Sequence, residues 1–122
     1  MIYRQAIYHR PVMKYLDREM LHGNAETLVL ALIAEDEGYG YQIRKDLAVR
    51  SRHHFQFSFG RLYPLLRSLE RRGLVTARWV KAGKIRERRH YTITAKGRVE
   101  LRERKRHWNQ FSVAMNRVLS GV

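Results

Sequence analysis

The sequence predicts an α+β chain, mostly α. Two observations carry that reading: apolar residues recur at helical spacing from about residue 24 to 73 and again from 94 to 119, and between these stretches the period switches to two. A third observation, the charge, bears on function. The 122 residues hold 25 Lys plus Arg against 11 Asp plus Glu, a formal +14, yet residues 1–60 carry 8 and 7 of these while residues 61–122 carry 17 and 4. Basicity so concentrated points to a polyanionic partner, with nucleic acid ahead of an anionic membrane surface.

Composition removes several classes. At 44% hydrophobic and 11% aromatic the chain is too apolar for a disordered basic tail, and its length suits one packed unit. The absence of cysteine excludes a disulfide framework and a thiolate metal site. The first thirty residues lack the apolar run of a signal peptide, and the longest such run, Leu28 to Ala34, is about a third of the roughly 20 residues a membrane crossing needs. A cytoplasmic protein without a membrane partner is expected.

The elements follow in order. Within an N-terminal extension, residues 1–22, Val12, Met13, Leu16 and Met20 suggest a short helix after Pro11. A helix then starts after Gly23, with Asn24 as N-cap and Glu26 in its first turn, and ends near Glu35; Leu28 to Ile33 is apolar on nearly all sides, the mark of a central core helix. Asp36-Glu37-Gly38 breaks it. A helix from about Gly40 to Arg50 should bury Tyr41, Ile43, Leu47 and Ala48 and turn Arg44, Lys45 and Asp46 outward. Ser58 caps a third helix that closes at Gly73. Its inward face is Leu62, Leu66 and Leu69 with Leu65 beside them; its outward face is Arg61, Pro64, Arg67, Ser68 and Arg71, with Tyr63 at the edge. Pro64, beyond the first turn, removes a backbone donor and should loosen the helix start.

Residues 74–81 and 85–93 read as strands joined through Ala82-Gly83-Lys84, a two-stranded hairpin crowded with Arg78, Lys81, Lys84, Arg86, Arg88 and Arg89. So small a ribbon must pack Trp79, Tyr91 or Ile93 onto the helices. Thr94 caps a last helix to about Leu119, a rod of roughly 39 Å. Leu101, Trp108, Met115 and Val122 fall at steps of seven, with Phe111 and Val118 three residues after Trp108 and Met115, while Arg102, Arg104, Lys105 and Arg106 keep the first half wet. An apolar seam on a helix that leaves its own domain asks for a partner, most simply a second copy across a two-fold axis.

Three helices, a basic hairpin and a long helix are the order of a winged helix-turn-helix. In that fold the third helix enters the major groove of DNA and the wing reaches the flanking backbone. The division expected is an N-terminal extension (1–22), a DNA-binding winged helix-turn-helix (23–93) with a two-stranded wing, and a long C-terminal dimerisation helix (94–122). Arginines on the outward face, Arg61 and Arg67, would read guanine edges, and Lys81, Lys84, Arg86, Arg88 and Arg89 would neutralise phosphates.

The stretch from Ser58 to Val75, SFGRLYPLLRSLERRGLV, resembles the S-x-G-T-L-Y-P-x-L-x-x-L-E-x-x-G-L-[LIV] signature of PadR-like transcriptional regulators. Gly40-Tyr41 upstream, and Arg86, Arg88-Arg89, Tyr91 and Ile93-Thr94 downstream, match two further blocks of that family, so the resemblance covers about residues 20 to 98. Arg61 stands where the family usually has Thr, and Ile85 where it has the wing glycine. The resemblance implies a homodimeric transcription factor of the short subgroup, usually a repressor, on a pseudo-palindromic operator. It implies Tyr63 and Arg67, with Pro64 between them, at the DNA, and Ser58 and Gly60 near the phosphates. It also implies that a flat apolar effector can sit between protomers near Trp108. Leu101, Trp108, Phe111, Met115 and Val118 are thus the expected dimer or effector interface, with dimer packing the first reading.

No enzyme is expected. The six histidines show no metal-ligand spacing, no cofactor is implied, Ser58 is explained by capping, and Glu70, Glu87, Glu100 and Glu103 are too scattered for a nuclease metal cluster. A small basic RNA-binding or ribosome-associated protein would share the charge but would not need the seam at Trp108. In a membrane-surface helix the cations would run along one face, whereas those of residues 94–119 cluster at one end.

Overall fold

The computed structural model describes residue 21 and residues 23–83 and 86–121. The short helix expected after Pro11, Lys84, the side chain of Arg86, and Val122 lie outside the described residues. In chain order the elements are α1 (Ala25–Glu35), β1 (Gly38–Tyr39), α2 (Gly40–Arg50), α3 (Phe59–Arg71), β2 (Val75–Ala82), β3 (Arg86–Ile93) and α4 (Ala95–Leu119). The strands form one antiparallel sheet in the order β1-β3-β2. Gly38 pairs with Tyr91, and the β2–β3 ladder runs from Val75 opposite Ile93 to Ala82 opposite Arg86.

The leucines of α3 dictate the packing. Leu62, Leu66 and Leu69 recur on one face and are wholly buried, together with Val29, Leu30 and Ile33 of α1, Ile43 and Leu47 of α2, and Val75, Tyr91 and Ile93 at the base of the hairpin. α1 is the central helix, touching α2, α3, α4 and β3, as its all-round apolar sequence requires. The far half of the hairpin, from Arg78 outward, leaves the core and projects as a wing; Trp79, 61% exposed, goes with it while Tyr91 and Ile93 anchor the base.

Caps set the ends of α3 and α4. The Ser58 hydroxyl accepts from the Arg61 N–H at 3.2 Å, and Gly73 ends α3 at φ +74°, in the left-handed region open to glycine. The Thr94 hydroxyl accepts from Gly97 N–H at 2.9 Å and donates to the Gly73 carbonyl at 2.7 Å, so the start of α4 is tied to the turn that ends α3. Asn24 stands at the N-cap position of α1 with helical backbone, φ −104° and ψ −12°, rather than the extended form of a capping residue.

Several expectations need correction. The sheet has a third strand, β1, beside the expected hairpin. Tyr41 is not buried: the inward stripe of α2 is Gly40, Ile43 and Leu47, and Tyr41 lies about 100° round from Gly40, 56% exposed. Leu101 belongs to the chain's own core and is 5% exposed, so it is not part of an outward seam. Arg104 is not wet: its side chain is 19% exposed and held by Glu26 and Glu100. No helix among the described residues is long and apolar enough to cross a membrane.

A Cβ on Gly97 would lie 2.1 Å from the Leu74 carbonyl oxygen and 2.7 Å from Ile93 Cγ1, so α4 approaches the sheet at backbone contact. Gly97→Ala should therefore destabilise the fold by on the order of 3 kcal/mol, read from the midpoint of urea unfolding.

Candidate nucleic-acid interface

Because the leucine stripe of α3 faces in, its opposite side faces out. Arg61, Tyr63, Pro64, Arg67 and Arg71 are exposed, as the spacing predicted, and so are Ser58 and Gly60; Ser68, expected on the same face, is half-buried against Glu26. Gly60 is open: a Cβ there would meet only the Ser58 hydroxyl, at 3.8 Å. The N-terminal end of α3 is built from stacked groups. Phe59 stacks on Tyr63 at 5.6 Å, the Arg44 guanidinium lies 4.8 Å from the Phe59 ring centre, and that of Arg61 lies 4.5 Å from Phe57. Arg44 also donates from Nε to the Phe57 carbonyl at 2.6 Å, which ties α2 to the loop that delivers α3.

Neither Arg44, Phe59 nor the loop residue Phe57 stood out in the sequence. Phe57 is 1% exposed although it lies outside any regular element, so no periodicity marks it. The loop reaches it through two non-glycine left-handed residues, Arg52 and His53, and through the Ser51 hydroxyl, which accepts from the Phe55 N–H at 3.0 Å.

Tyr63 is placed by close approach. A Cβ on Gly40 would come within 2.7–2.9 Å of the Tyr63 ring and hydroxyl, so the glycine that opens α2 is what admits the tyrosine. Tyr63 then lines a cleft of about 770 Å³ between α3 and the wing, with Tyr39, Tyr41, Arg67, Glu70, Trp79 and Arg88 among its walls. Arg88 stacks over Tyr39, 4.2 Å from the ring centre. Burial pushes the Tyr91 phenol up at the floor of the cleft.

The wing cations divide into two groups. Arg78 binds Glu37 at 2.8 Å and Arg89 binds Glu70 at 2.8 Å. Lys81 and Arg88 have no acidic partner among the described residues, nor do Arg67 and Arg71 on α3. Outside the wing, Arg72 and Arg104 are likewise tied up inside the molecule. Glu26 in the first turn of α1 receives Arg72 from the end of α3 and Arg104, at 3.2 Å, from α4, while Ser68 donates to the same carboxylate at 3.5 Å. Burial opposes ionisation of Glu26, but Arg72 and Arg104 outweigh it and hold the carboxyl below its usual range.

On α4 the expected seam residues other than Leu101 are on the surface: Trp108 is 46%, Phe111 56%, Met115 41% and Val118 75% exposed. Trp108 and Phe111 lie 5.8 Å apart between ring centres.

The model of the transcriptional regulator PadR-like family matches residues 29–103. The chain belongs to that family. Its members are transcription regulators, not enzymes, and the resemblance seen in the Ser58–Val75 stretch is thereby confirmed. Among solved structures, this PadR-like chain is similar to a PadR-like transcriptional regulator from Bacillus cereus, 31% identical over 85% of this chain and 99% of that one, with a TM-score of 0.75. A PadR family regulator from Eggerthella lenta is 27% identical, covering 93% and 96% of the two chains at a TM-score of 0.78. Bacillus subtilis PadR in complex with operator DNA is 26% identical, covering 65% of this chain and 44% of that one at a TM-score of 0.61.

The depressed Glu26 carboxyl makes stability depend on pH. Its contribution is present above the ordinary value of 4.5 and is lost as pH falls through the lower folded value. Glu26→Gln should therefore flatten the loss of stability between about pH 6 and about pH 3 in urea unfolding, relative to the unchanged chain.

Proposed function

We propose that this PadR-like regulator binds double-stranded DNA sequence-specifically as a homodimer, on a pseudo-palindromic operator, and acts by repression in the cytoplasm. The observation that carries the reading is the surviving free charge: Arg67 and Arg71 on the outward face of α3, and Lys81 and Arg88 on the adjoining wing, face outward without acidic partners among the described residues. An α-helix fits the major groove, and arginine pairs with guanine there in bidentate fashion. Arg67, with Arg61 and Tyr63, is accordingly assigned to base reading. Ser58, Gly60 and Pro64 approach the backbone, and Lys81, Lys84, Arg86 and Arg88 neutralise phosphates. The relative from Bacillus subtilis that is complexed with operator DNA supports the same partner.

The homodimer is proposed from the exposed stripe of Trp108, Phe111, Met115 and Val118, too apolar to remain in water along one helix face. Residues 23–93 then form the DNA-binding part and 94–122 the dimerisation helix. A recess of about 420 Å³ bounded by Glu26, Thr27, Arg104, His107, Trp108 and Phe111 adjoins the stripe. It supports a second use of Trp108 and Phe111, holding a flat apolar effector between protomers and so relieving repression.

A gel shift with duplex DNA against RNA of the same sequence tests the partner: duplex should win, and equal affinity would indicate an RNA-binding protein instead. Lys81→Ala with Arg88→Ala should weaken binding to every duplex and lower the slope of log K against log salt by about 0.9 for each phosphate no longer neutralised. Arg67→Ala should instead reduce discrimination between bases by about 1–3 kcal/mol, measured over single-site variants of a bound duplex. Trp108→Glu should turn a dimer into a monomer in sedimentation at micromolar concentration.

A further inference from the structure

We propose that Arg89 is a positioning residue that clamps the wing to α3 through Glu70 and touches no phosphate. The inference rests on the DNA-binding reading, within which Arg89 would otherwise count among the wing's phosphate cations. Arg89 stands on β3 directly opposite Trp79 on β2. Its guanidinium lies 5.4 Å from the Trp79 ring centre and reaches Glu70 Oε2 at 2.8 Å, with both side chains of the pair about one-third exposed. One plane of the guanidinium is thus held against an indole and its donor edge by a carboxylate.

Electrostatics argues against a second partner. A phosphate brought to Arg89 would lie beside the Glu70 carboxylate, and like charges at such separations repel. A paired arginine also offers DNA almost no net charge. Lys81 and Arg88, which carry no such compensation among the described residues, are the wing's better phosphate ligands.

The position of the pair along the hairpin explains what it does. The base of the wing is fixed by Tyr91 and Ile93 in the core. On its other edge β3 is held by β1 as far as His90, which pairs with Tyr39, and Arg78 and Arg88 reach Glu37 and Tyr39 on that side; toward α3, the four residues from Arg89 to Arg86, about 13 Å of ribbon at ~3.3 Å per residue, have no such anchor until Glu70. Fixing Arg89 to the last turn of α3 shortens that span to three residues, about 10 Å. With β1, Glu37 and Tyr39 holding the wing from one side, Glu70 sets its approach to α3 from the other, and with it the simultaneous fit of the helix to a groove and the wing to the flanking strand.

Glu70→Gln separates positioning from phosphate binding by sign. If Arg89 touched phosphate, removing its carboxylate partner would free a cation and strengthen binding. If the pair positions the wing, Glu70→Gln weakens binding to a mixed-sequence duplex about fivefold, the scale of a partly exposed ion pair, and Arg89→Gln does the same. The salt slope of Arg89→Gln should equal that of the unchanged chain; a slope lower by about 0.9 per protomer would overturn the proposal. A readout free of DNA is the Trp79 indole N–H resonance, assigned by its absence in Trp79→Phe: Glu70→Gln should shift it in the unbound protein, and an unmoved resonance would overturn the clamp. Should the unchanged chain bind no duplex, the DNA reading fails while this resonance still decides whether the clamp exists.

Discussion

Everything that this surface can do depends on the burial of one stripe of leucines. Leu62, Leu66 and Leu69 lie at 0% exposure in the core shared with α1, α2 and β2, and that packing fixes the rotation of α3 about its own axis. Three buried leucines are worth several kcal/mol, roughly 1.5–3 each, so the helix cannot roll to present another face. Once they point inward, Arg61, Tyr63, Pro64 and Arg67 must point outward. Pro64 sits at the sixth position of α3, where its missing N–H leaves one helical bond unmade, yet α3 continues unbroken to Arg71. The burial on the opposite face outweighs that loss.

Formal charge overstates what can be offered to a polyanion. Of the cations after residue 60, Arg72, Arg78, Arg89 and Arg104 are consumed by Glu26, Glu37, Glu70 and Glu100. These pairs are partly exposed and individually weak. Their shared consequence is geometric: Glu26 joins the end of α3 to α4, Glu70 joins it to the wing, and Glu37 joins the α1–β1 connection to β2. Glu26, Glu37 and Glu70 are thus spent on holding the basic surface in shape, while Glu100 and Glu103 pair along α4 itself with Arg104 and Arg106. Left without an acidic partner among the described residues are Arg67 and Arg71 on one side of α3 and Lys81 and Arg88 on the wing, and farther off Arg98, Arg102, Lys105 and Arg117 along α4.

Much of this was legible in the sequence. α1, α2, α3, the hairpin and α4 fall within one or two residues of their expected bounds, because each is long or strongly periodic and the Ser58 and Thr94 caps are chemically distinct. β1 was not legible, since two residues carry no period and its pairing with β3 is set more than fifty residues away. Phe57 was hidden for the same reason, being a core residue in a loop. The heptad pattern misled at Leu101: sequence spacing continues across the point where α4 leaves its own core, but burial does not. In the site, the exposed face of α3 followed from periodicity alone. The pairing of Arg89 with Glu70 and of Arg78 with Glu37 did not, because the partners lie 19 and 41 residues apart and no local spacing joins them.

The central claim is that the free cations of α3 and the wing read duplex DNA from a two-fold assembly. Selection of bound duplexes from a random-sequence pool, in the presence of excess RNA, tests it most directly. The account predicts enrichment of an inverted repeat whose half-sites lie about one helical turn, roughly 10 base pairs, apart. A pool that stays unenriched, or one emptied by the RNA competitor, would contradict it.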